Sequence, residues 1–334
     1  MTRTQKKGNA FTNNPIVKAI GTQKIVVVLV LIALFGFFSV MSPAFRQYST
    51  ILSIMDYSYY ISFMAIGVTF CLITGGVDLS IGTGMICCGL IGGYLINVKE
   101  MPIVIGILAA LGIGILFGII NGVLVAILDL PPFIATLGTM MVTRGFGSIA
   151  TGSLSQTWPA AGGENGWFRA IFKMDVGNVK LPLGFLWVIL LVIIMSIVLN
   201  KTQIGRYIIA IGSNKEATRL SGVNVVKYQM SAYIISGIFV GLAGIAYSAT
   251  FQAVAPGTGA GLELDAIGGA IIGGTSMNGG MGSVVGSLLG VFIMSMLKTG
   301  LPYIGLQANW QQIITCIILI LAVFIDVQKN KKMD

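Results

Sequence analysis

The chain has 334 residues, of which 55% are hydrophobic, 9% are charged and 45 are glycine. With a mean hydropathy of +0.92, it has too little polar surface to cover a soluble core, which excludes an ordinary soluble fold. Its formal net charge is +9, but the lysines and arginines lie mainly at the ends of apolar runs. That distribution indicates orientation in a membrane rather than nucleic-acid binding.

Apolar runs long enough to cross a membrane recur along the chain. A bilayer core of about 30 Å needs about 20 helical residues per crossing. The sequence therefore predicts an all-α, polytopic membrane protein of about ten transmembrane helices, some of them broken or re-entrant at Gly-rich segments. The predicted crossings are Ile25–Met41, Ile51–Thr74, Val77–Ile96, Ile103–Leu128, Phe133–Ala150, Leu183–Leu199, Gln229–Thr250, the short Leu264–Ile272, Val284–Leu297 and Trp310–Val327.

Basic residues set the predicted orientation of the transmembrane domain, residues 25–327. A cytoplasmic N-terminus places three basic segments in the cytoplasm, namely the tail of residues 1–24, the segment 203–227 and the tail of residues 328–334. Both termini are then cytoplasmic. The aromatic, Gly-rich loop of residues 151–180 lies outside, either as a contact for an extracytoplasmic partner or as a lid with an interfacial aromatic belt.

Two Gly-rich segments interrupt the apolar runs. GGVDLSIGTG, which begins at Gly75, and GGTSMNGGMG, which begins at Gly273, fit a parallel internal repeat, with chance coincidence as the rival in so glycine-rich a chain. Irregular backbone at membrane depth is tolerated only against protein or a water-filled cavity. The aligned glycines are Gly75, Gly76, Gly82 and Gly84 in the first segment and Gly273, Gly274, Gly280 and Gly282 in the second.

Polar residues within these runs are candidates for a translocation path, because carboxylates inside a membrane are costly and often functional. Asp78 or Ser80 alternatively caps the helix that follows the first break. Asp56 lies in a tyrosine-rich stretch. For Asp56 and Arg144 an equal alternative is a position near a span end, with snorkelling or pairing at the interface. The path candidates are Gly75, Gly76, Asp78, Ser80, Asp56, Tyr60, Asn121, Glu263, Asp265, Gly273 and Gly274.

Charge is concentrated in the segment 203–227, between two long apolar runs. A membrane protein that gathers charge in this way presents it to a soluble partner. Ser213 and Asn214 offer N-cap oxygens, and Gly222 can adopt the left-handed conformation that ends a helix. The segment therefore predicts a short amphipathic helix that is capped at both ends and lies outside the lipid.

Several kinds of chemistry have no support in the sequence. It contains no G-x-x-x-x-G-K-[ST] motif and no histidine, and its four cysteines lie in apolar segments without CxxC spacing. We therefore predict no nucleotide phosphate site, no metal site and no catalytic residues. A permease energised by a separate ATPase, an ion-coupled carrier and a channel remain as classes.

Three segments carry a family resemblance: GGVDLSIGTG, IGSNKEATRLSGVNV and ELDAIGGAIIGGTSMNGGMGSVVGSLLG. Together they resemble the permease subunits of ribose-type ABC sugar importers, the ribose, xylose and galactose permease family. The similarity extends from Ser49 to the C-terminus. It implies a subunit of the bacterial inner membrane that forms the translocation path for a monosaccharide by ATP-driven alternating access.

The resemblance also implies partners. They are an ABC ATPase with two fused nucleotide-binding domains, an extracytoplasmic sugar-binding protein and a second copy of the chain, with no nucleic acid. ATP and magnesium would bind to the ATPase, and this chain would hold no cofactor. The rival function is an ion-coupled secondary carrier for a small polar solute, in which Asp56, Asp78 or Asp265 takes up a proton or sodium ion.

In the family, the loop between the sixth and seventh spans carries a coupling helix that docks on the ATPase, and it corresponds to residues 211–225 here. Leu220 is then the expected apolar contact, while Glu216 and Arg219 set the register. The rival interpretation is an ordinary interfacial helix. The residues predicted to make the ATPase contact are Asn214, Glu216, Arg219, Leu220 and Gly222.

Overall fold

The computed structural model describes residues 22–177 and 179–330, so most of the two predicted basic tails lies outside the described residues. The helices are α1 (Thr22–Met41), α2 (Tyr48–Ile73), α3 (Ile81–Asn97), α4 (Ile103–Gly122), α5 (Pro132–Ala150), α6 (Trp167–Ala170), α7 (Gly184–Lys201), α8 (Gln203–Ser213), α9 (Lys215–Leu220), α10 (Val225–Phe251), α11 (Leu262–Ile272), α12 (Val284–Gly300) and α13 (Ala308–Asn330). A π-helical turn, Val123–Ile127, continues α4, and the 3₁₀ helices are Pro43–Arg46 and Leu301–Ile304. The strands are β1 (Gln156–Thr157), β2 (Met174–Val176), β3 (Val179–Leu181) and β4 (Ala253–Val254).

Within the described residues, 7 helices are long and apolar enough to cross a membrane. They are α1, α2, α4 with its π-helical turn, α7, α10, α12 with the following 3₁₀ helix, and α13. Helix α3 is apolar but shorter, α11 has only 11 residues, and the 19-residue α5 is not among the seven. The predicted all-α polytopic fold, with broken helices, is confirmed.

The spans form a central group and a periphery. In α2, 72% of the most apolar window is buried, and every residue from Ser58 to Ile73 is buried. The corresponding share is 11% in α1 and 6% in α13. A helix that is apolar on all sides and buried on all sides belongs at the centre of a bundle, so α2 forms the core and α1 and α13 lie outside it.

Glycines allow the central helices to approach closely. Gly114 and Gly118 of α4 face Gly237 of α10, and a Cβ added at Gly118 would lie 2.9 Å from the Gly237 Cα. A Cβ on Gly286 of α12 would overlap the carbonyl oxygen of Gly273. Such contacts leave room only for hydrogen on the Cα, which is how small residues let transmembrane backbones pack.

Two non-helical breaks, residues 74–80 and residues 273–283, lie against each other. The backbone N–H of Gly280 donates a hydrogen bond to the Ile73 carbonyl at 2.9 Å. Gly75 and Gly274 adopt φ of 80° and 101°, conformations that glycine allows without steric cost. The breaks are therefore packed against protein, as predicted.

The glycine-by-glycine alignment of the two segments fails in its second half. Gly82 and Gly84 lie inside α3, whereas Gly280 and Gly282, their partners in the alignment, lie in the non-helical segment before α12. The second break is longer than the first and carries left-handed φ values at Gly279 and Gly280. These two pairs of aligned glycines therefore have different backbone roles.

The loop of residues 151–183 is folded against the bundle. Strand β1 pairs with β4, which follows α10, and β2 pairs with β3. Trp158 is 2% exposed, donates from Nε1 to the Gly89 carbonyl at 2.9 Å and stacks on Phe168. Trp158 thus anchors the loop as a lid over α3 instead of forming a lipid-facing aromatic belt.

Candidate translocation path and docking helix

The charged segment folds as two short helices. Asn214 accepts a hydrogen bond from the backbone N–H of Ala217 at 2.8 Å and so caps α9. Gly222 has φ of 81° and donates to the Arg219 carbonyl, while Val223 donates to the Thr218 carbonyl. This pair of bonds is a Schellman C-cap. The predicted short helix with both caps is confirmed, except that the Ser213 hydroxyl bonds back to Ile209 and does not cap.

The outer surface of α9 is open to solvent. Arg219 donates two hydrogen bonds to Glu216, at 3.0 and 2.6 Å, and both side chains are exposed. The hydrogen bond from Arg219 lowers the pKa of Glu216, and the same bond raises the pKa of Arg219. Leu220 is 77% exposed. The outer surface of α9 therefore carries a charged pair and a leucine that are not packed against the rest of the described chain.

The charged segment is fixed to the bundle at the end of α8. At the end of α8, Gly212 has no room for a side chain, because a Cβ there would overlap the Ile73 carbonyl oxygen and the Gly280 nitrogen. A Cβ at Gly279 would lie 2.8 Å from the Gly212 carbonyl oxygen. The backbone just before α9 therefore touches the end of α2, at Ile73, and the second break directly. We name Ile73, Gly212, Gly279 and Gly280 the backbone junction.

Asp78 lies at the centre of a buried polar network. It is 2% exposed and accepts hydrogen bonds from the Ser80 backbone N–H and hydroxyl, at 3.0 and 2.6 Å. Ser236 of α10 donates at 2.8 Å and Asn121 of α4 at 3.3 Å. Thr139 of α5 donates to Asn121 at 2.7 Å. Both carboxylate oxygens are occupied, so the network joins α3, α4, α5 and α10.

A second buried cluster lies where α11 begins. Asp265 is 0% exposed, accepts a hydrogen bond from Tyr57 at 2.6 Å and pairs with Lys298 at 3.0 Å. Among the described residues, its second oxygen, Oδ1, has no partner. Glu263 accepts from the Gly261 backbone N–H at 3.0 Å. Both acids lie in the first turn of α11, where the helix dipole favours negative charge.

Aromatic side chains adjoin this cluster. Tyr60 is 2% exposed and meets Tyr57, Tyr247 and Phe251 with ring centroids 5.1 to 5.7 Å apart. Asp56, one helical turn away, pairs with Lys173 of the loop at 2.6 Å. This agrees with the interfacial-pairing interpretation of Asp56, whereas Arg144 forms no such pair in the described part of the chain.

The structure thus divides the predicted path residues into separate groups. Asp78, Ser80 and Asn121 share one network. Tyr60 and Asp265 adjoin through Tyr57, with Glu263 on the first turn of the same helix. Asp56 pairs with the loop. The glycines Gly75, Gly76, Gly273 and Gly274 lie at the two breaks and serve backbone geometry and packing.

Sequence reasoning missed several members of these networks. Lys298 follows directly after the predicted span Val284–Leu297, and its charge beside an apolar run was the available signal. Ser236 and Thr139 are hydroxyl residues inside long apolar helices. Nothing in the sequence distinguishes them from other serines and threonines in such helices. Lys173 lies in the loop. Their partners are distant in sequence, so only the fold reveals them.

Comparison with known proteins identifies the class to which this fold and site belong. The family model described as the permease component of branched-chain amino acid transport systems matches residues 50–323, and the chain belongs to that family. Among curated relatives, the ribose import permease protein RbsC of Escherichia coli (strain K12) is 35% identical over 316 residues, covering 93% of this chain and 94% of the relative.

Two further relatives are named for the import of other sugars. The galactose/methyl galactoside import permease protein MglC of Haemophilus influenzae is 34% identical over 320 residues, covering 91% of this chain and 94% of the relative. The fructose import permease protein FrcC of Rhizobium meliloti is 31% identical over 302 residues, covering 90% of this chain and 83% of the relative. The similarity therefore extends over nearly the whole transmembrane domain.

Proposed function

We propose that this chain is the permease subunit of a binding-protein-dependent ABC importer and forms the translocation path for a monosaccharide. The observation that carries the proposal is similarity over nine-tenths of the chain to permeases named for ribose, galactose and fructose import. The family description mentions amino acids, but these curated relatives are sugar permeases. They favour a sugar over an amino acid, and an ABC permease over an ion-coupled carrier.

The partner that supplies energy is an ABC ATPase with two fused nucleotide-binding domains. This chain has no P-loop, so ATP and magnesium bind to the ATPase and the chain catalyses no reaction. Helix α9 supports the docking proposal because it is capped, charged and exposed, with Leu220 projecting from it. Leu220 enters an apolar site on the ATPase, and the Glu216–Arg219 pair fixes the register.

The assembly comprises two copies of the chain in a bacterial plasma membrane and an extracytoplasmic sugar-binding protein. The basic segments favour cytoplasmic termini. The folded loop and α9 occupy opposite ends of α2, since Lys173 pairs with Asp56 while Gly212 packs against Ile73. The loop surface is thereby available to the binding protein when α9 faces the ATPase.

Transport follows alternating access. ATP binding draws the two ATPase domains together and moves α9 of each copy, and the central cavity then opens to the other side. A partner can drive this change only through different affinities for the two states. Because the backbone junction connects α8 to the end of α2 and to the second break, movement of α9 reaches the central spans without passing through flexible side chains.

The deciding experiment is reconstitution in liposomes. The chain with its ATPase and binding protein is expected to accumulate radiolabelled sugar only when ATP is present. The chain alone, with an imposed proton or sodium gradient, is the control. Gradient-driven uptake by the chain alone would overturn the proposal in favour of a secondary carrier.

A charge exchange tests the docking residues. The double variant Glu216→Arg, Arg219→Glu keeps an ion pair on α9 but reverses its direction, so co-purification with the ATPase and ATP-driven uptake are expected to fall. Glu164→Arg, which changes an exposed charge in the loop, is the matched control for co-purification with the ATPase. Full ATPase binding by the double variant would show that Glu216 and Arg219 are not in the contact.

A further inference from the structure

Arg144 differs from the other charged residues within the helical bundle. It lies on α5 and is exposed, and in the described part of the chain it makes no hydrogen bond or ion pair. Asp56, Asp78, Glu263, Asp265 and Lys298 all have bonding partners. An unpaired arginine facing lipid is costly, so its surroundings contain water or another polar group.

The depth of Arg144 follows from its neighbours. The adjacent Thr143 shares a 2.8 Å hydrogen bond with Thr83 of α3. Thr83 lies ten residues before Gly93, where the lid residue Trp158 packs, which is about 15 Å along the helix at 1.5 Å per residue. Along α5, Arg144 is about 18 Å from the first residue and about 9 Å from the last. Arg144 is therefore well inside α5, away from both ends of the helix.

An irregular segment approaches Arg144 at this depth. Residues 252–261 descend along α3, with Val254 near Gly89 and Gly259 near Gly82. Gly257 and Thr258 of this turn are exposed, and a small cavity of about 10 Å³ lies between the turn, Thr83 and Arg144. Non-helical backbone inside a membrane is tolerated where it is buried in protein or borders water, so its exposed part indicates a water-filled cavity.

Two independent features, the unpaired Arg144 guanidinium and the exposed turn, thus indicate that this surface is in contact with water. We propose that the Arg144 face of α5 lines the aqueous path and that Arg144 donates hydrogen bonds to the hydroxyl groups of the sugar. This inference rests on the function proposed above. A guanidinium has five N–H donors in a planar fork, which suits two neighbouring hydroxyl oxygens, and no acid in the described structure competes for them.

The hydrogen bonds already made by Asp78 support this assignment. The oxygens of Asp78 already receive four hydrogen bonds, and a sugar could bind there only by displacing them. Arg144 requires no such exchange because its donors are open.

Water access is tested by thiol labelling of the reconstituted transporter. Arg144→Cys and Ser148→Cys, one turn further on the same face, are made with Cys316→Ser to remove the exposed native thiol. Val142→Cys is the matched control because Val142 is 56% exposed but points about 160° away around the helix. A charged, membrane-impermeant methanethiosulfonate is expected to label the first two positions and not the third.

Absence of labelling at both positions 144 and 148 would overturn the inference, and so would equal labelling at all three. The Ser148 variant retains Arg144, so the experiment stands even where loss of the arginine prevents folding. Sugar contact is tested separately by the KM of ATP-driven uptake of D-ribose, D-galactose and D-fructose. Arg144→Met is expected to raise KM for the transported sugar about tenfold, as loss of a charge-assisted hydrogen bond does.

Arg144→Lys, which keeps one charge-assisted donor, is expected to recover part of this loss, with ATPase co-purification unchanged in both variants. An unchanged KM in Arg144→Met would contradict sugar contact. These outcomes are distinct from failure of the proposed function. Gradient-driven uptake by the wild-type chain would reject the ABC importer, whereas unlabelled cysteines in an ATP-driven importer would reject only the path assignment.

Discussion

Asp78 and Glu216 are both carboxylates at the end of a helical segment, but their surroundings are opposite. Asp78 is buried and accepts hydrogen bonds from three residues on α4, α10 and the first break. Glu216 is exposed and bonds to Arg219 of its own helix. The difference teaches that Asp78 contributes to the fold, whereas Glu216 is available to a partner, because exposed ion pairs contribute little to stability.

The largest expected effect comes from Asp78→Ala. It would leave the donors of Ser80, Asn121 and Ser236 buried without an acceptor, and unsatisfied buried donors cost about 1–3 kcal/mol each. We expect the folded state to lose about 4 kcal/mol, measured as a large fall in the thermal unfolding midpoint in detergent. Asp129→Ala, whose side chain is 82% exposed, is the control. Equal midpoints for the two variants would refute the structural role of Asp78.

The next effect concerns the buried pair of Asp265 and Lys298. Lys298→Met leaves the Asp265 carboxylate buried without its cation, which is expected to cost about 3 kcal/mol, since removing one partner strands the other charge. The double variant Lys298→Met, Asp265→Asn removes the stranded charge. Its unfolding midpoint should recover most of the loss. Equal unfolding midpoints for the single and double variants would show that the stability of Asp265 does not depend on Lys298.

A smaller effect on stability is expected at the N-cap of α9. Asn214→Ala removes the acceptor for the Ala217 backbone N–H and is expected to destabilise α9 locally by about 1 kcal/mol. Faster hydrogen exchange in residues 215–220, with the global unfolding midpoint almost unchanged, is the expected measurement. Asn214→Ser is the control because serine also caps. Unchanged exchange in the alanine variant would argue against a cap at this position.

The smallest effect on the fold should come from Glu216→Gln, which is expected to leave the unfolding midpoint unchanged while weakening ATPase binding. The pH dependence has a definite sign. Because Arg219 lowers the pKa of Glu216, the ion pair persists above the ordinary glutamate pKa and is lost as pH falls through the lowered value. ATPase binding by the wild type should therefore be constant at neutral pH and fall in acid. A loss of binding as pH rises would contradict the assignment.

These regions also differ in how far the sequence could predict them. The caps of α9 are local, since Asn214 and Gly222 act within a few residues, and the sequence predicted both ends of the helix. The Asp78 network is not local, because Ser236 lies 158 residues away in the chain. The pairing of Asp265 with Tyr57 spans 208 residues. Apolar runs predicted the spans, but which hydroxyl meets which carboxylate depends on how those spans pack.

The loop illustrates the same limit. Its tryptophans indicated an aromatic surface, and Trp167 is 47% exposed. Trp158, however, inserts against Gly89, Gly92 and Gly93 of α3, where the absence of side chains makes a slot for the indole. Composition does not distinguish a tryptophan that faces out from one that fills such a slot, because the slot is formed by a distant helix.

The backbone junction has a mechanical consequence. Where helices meet through long side chains, rotamer changes absorb small displacements, so that one helix can shift before its neighbour responds. At Gly212, Gly279 and Gly280 the contact is main chain on main chain, with a hydrogen bond from Gly280 to Ile73. Such a contact has almost no slack. A displacement of α9 is therefore expected to tilt α2 directly, with no change of side-chain rotamer in between.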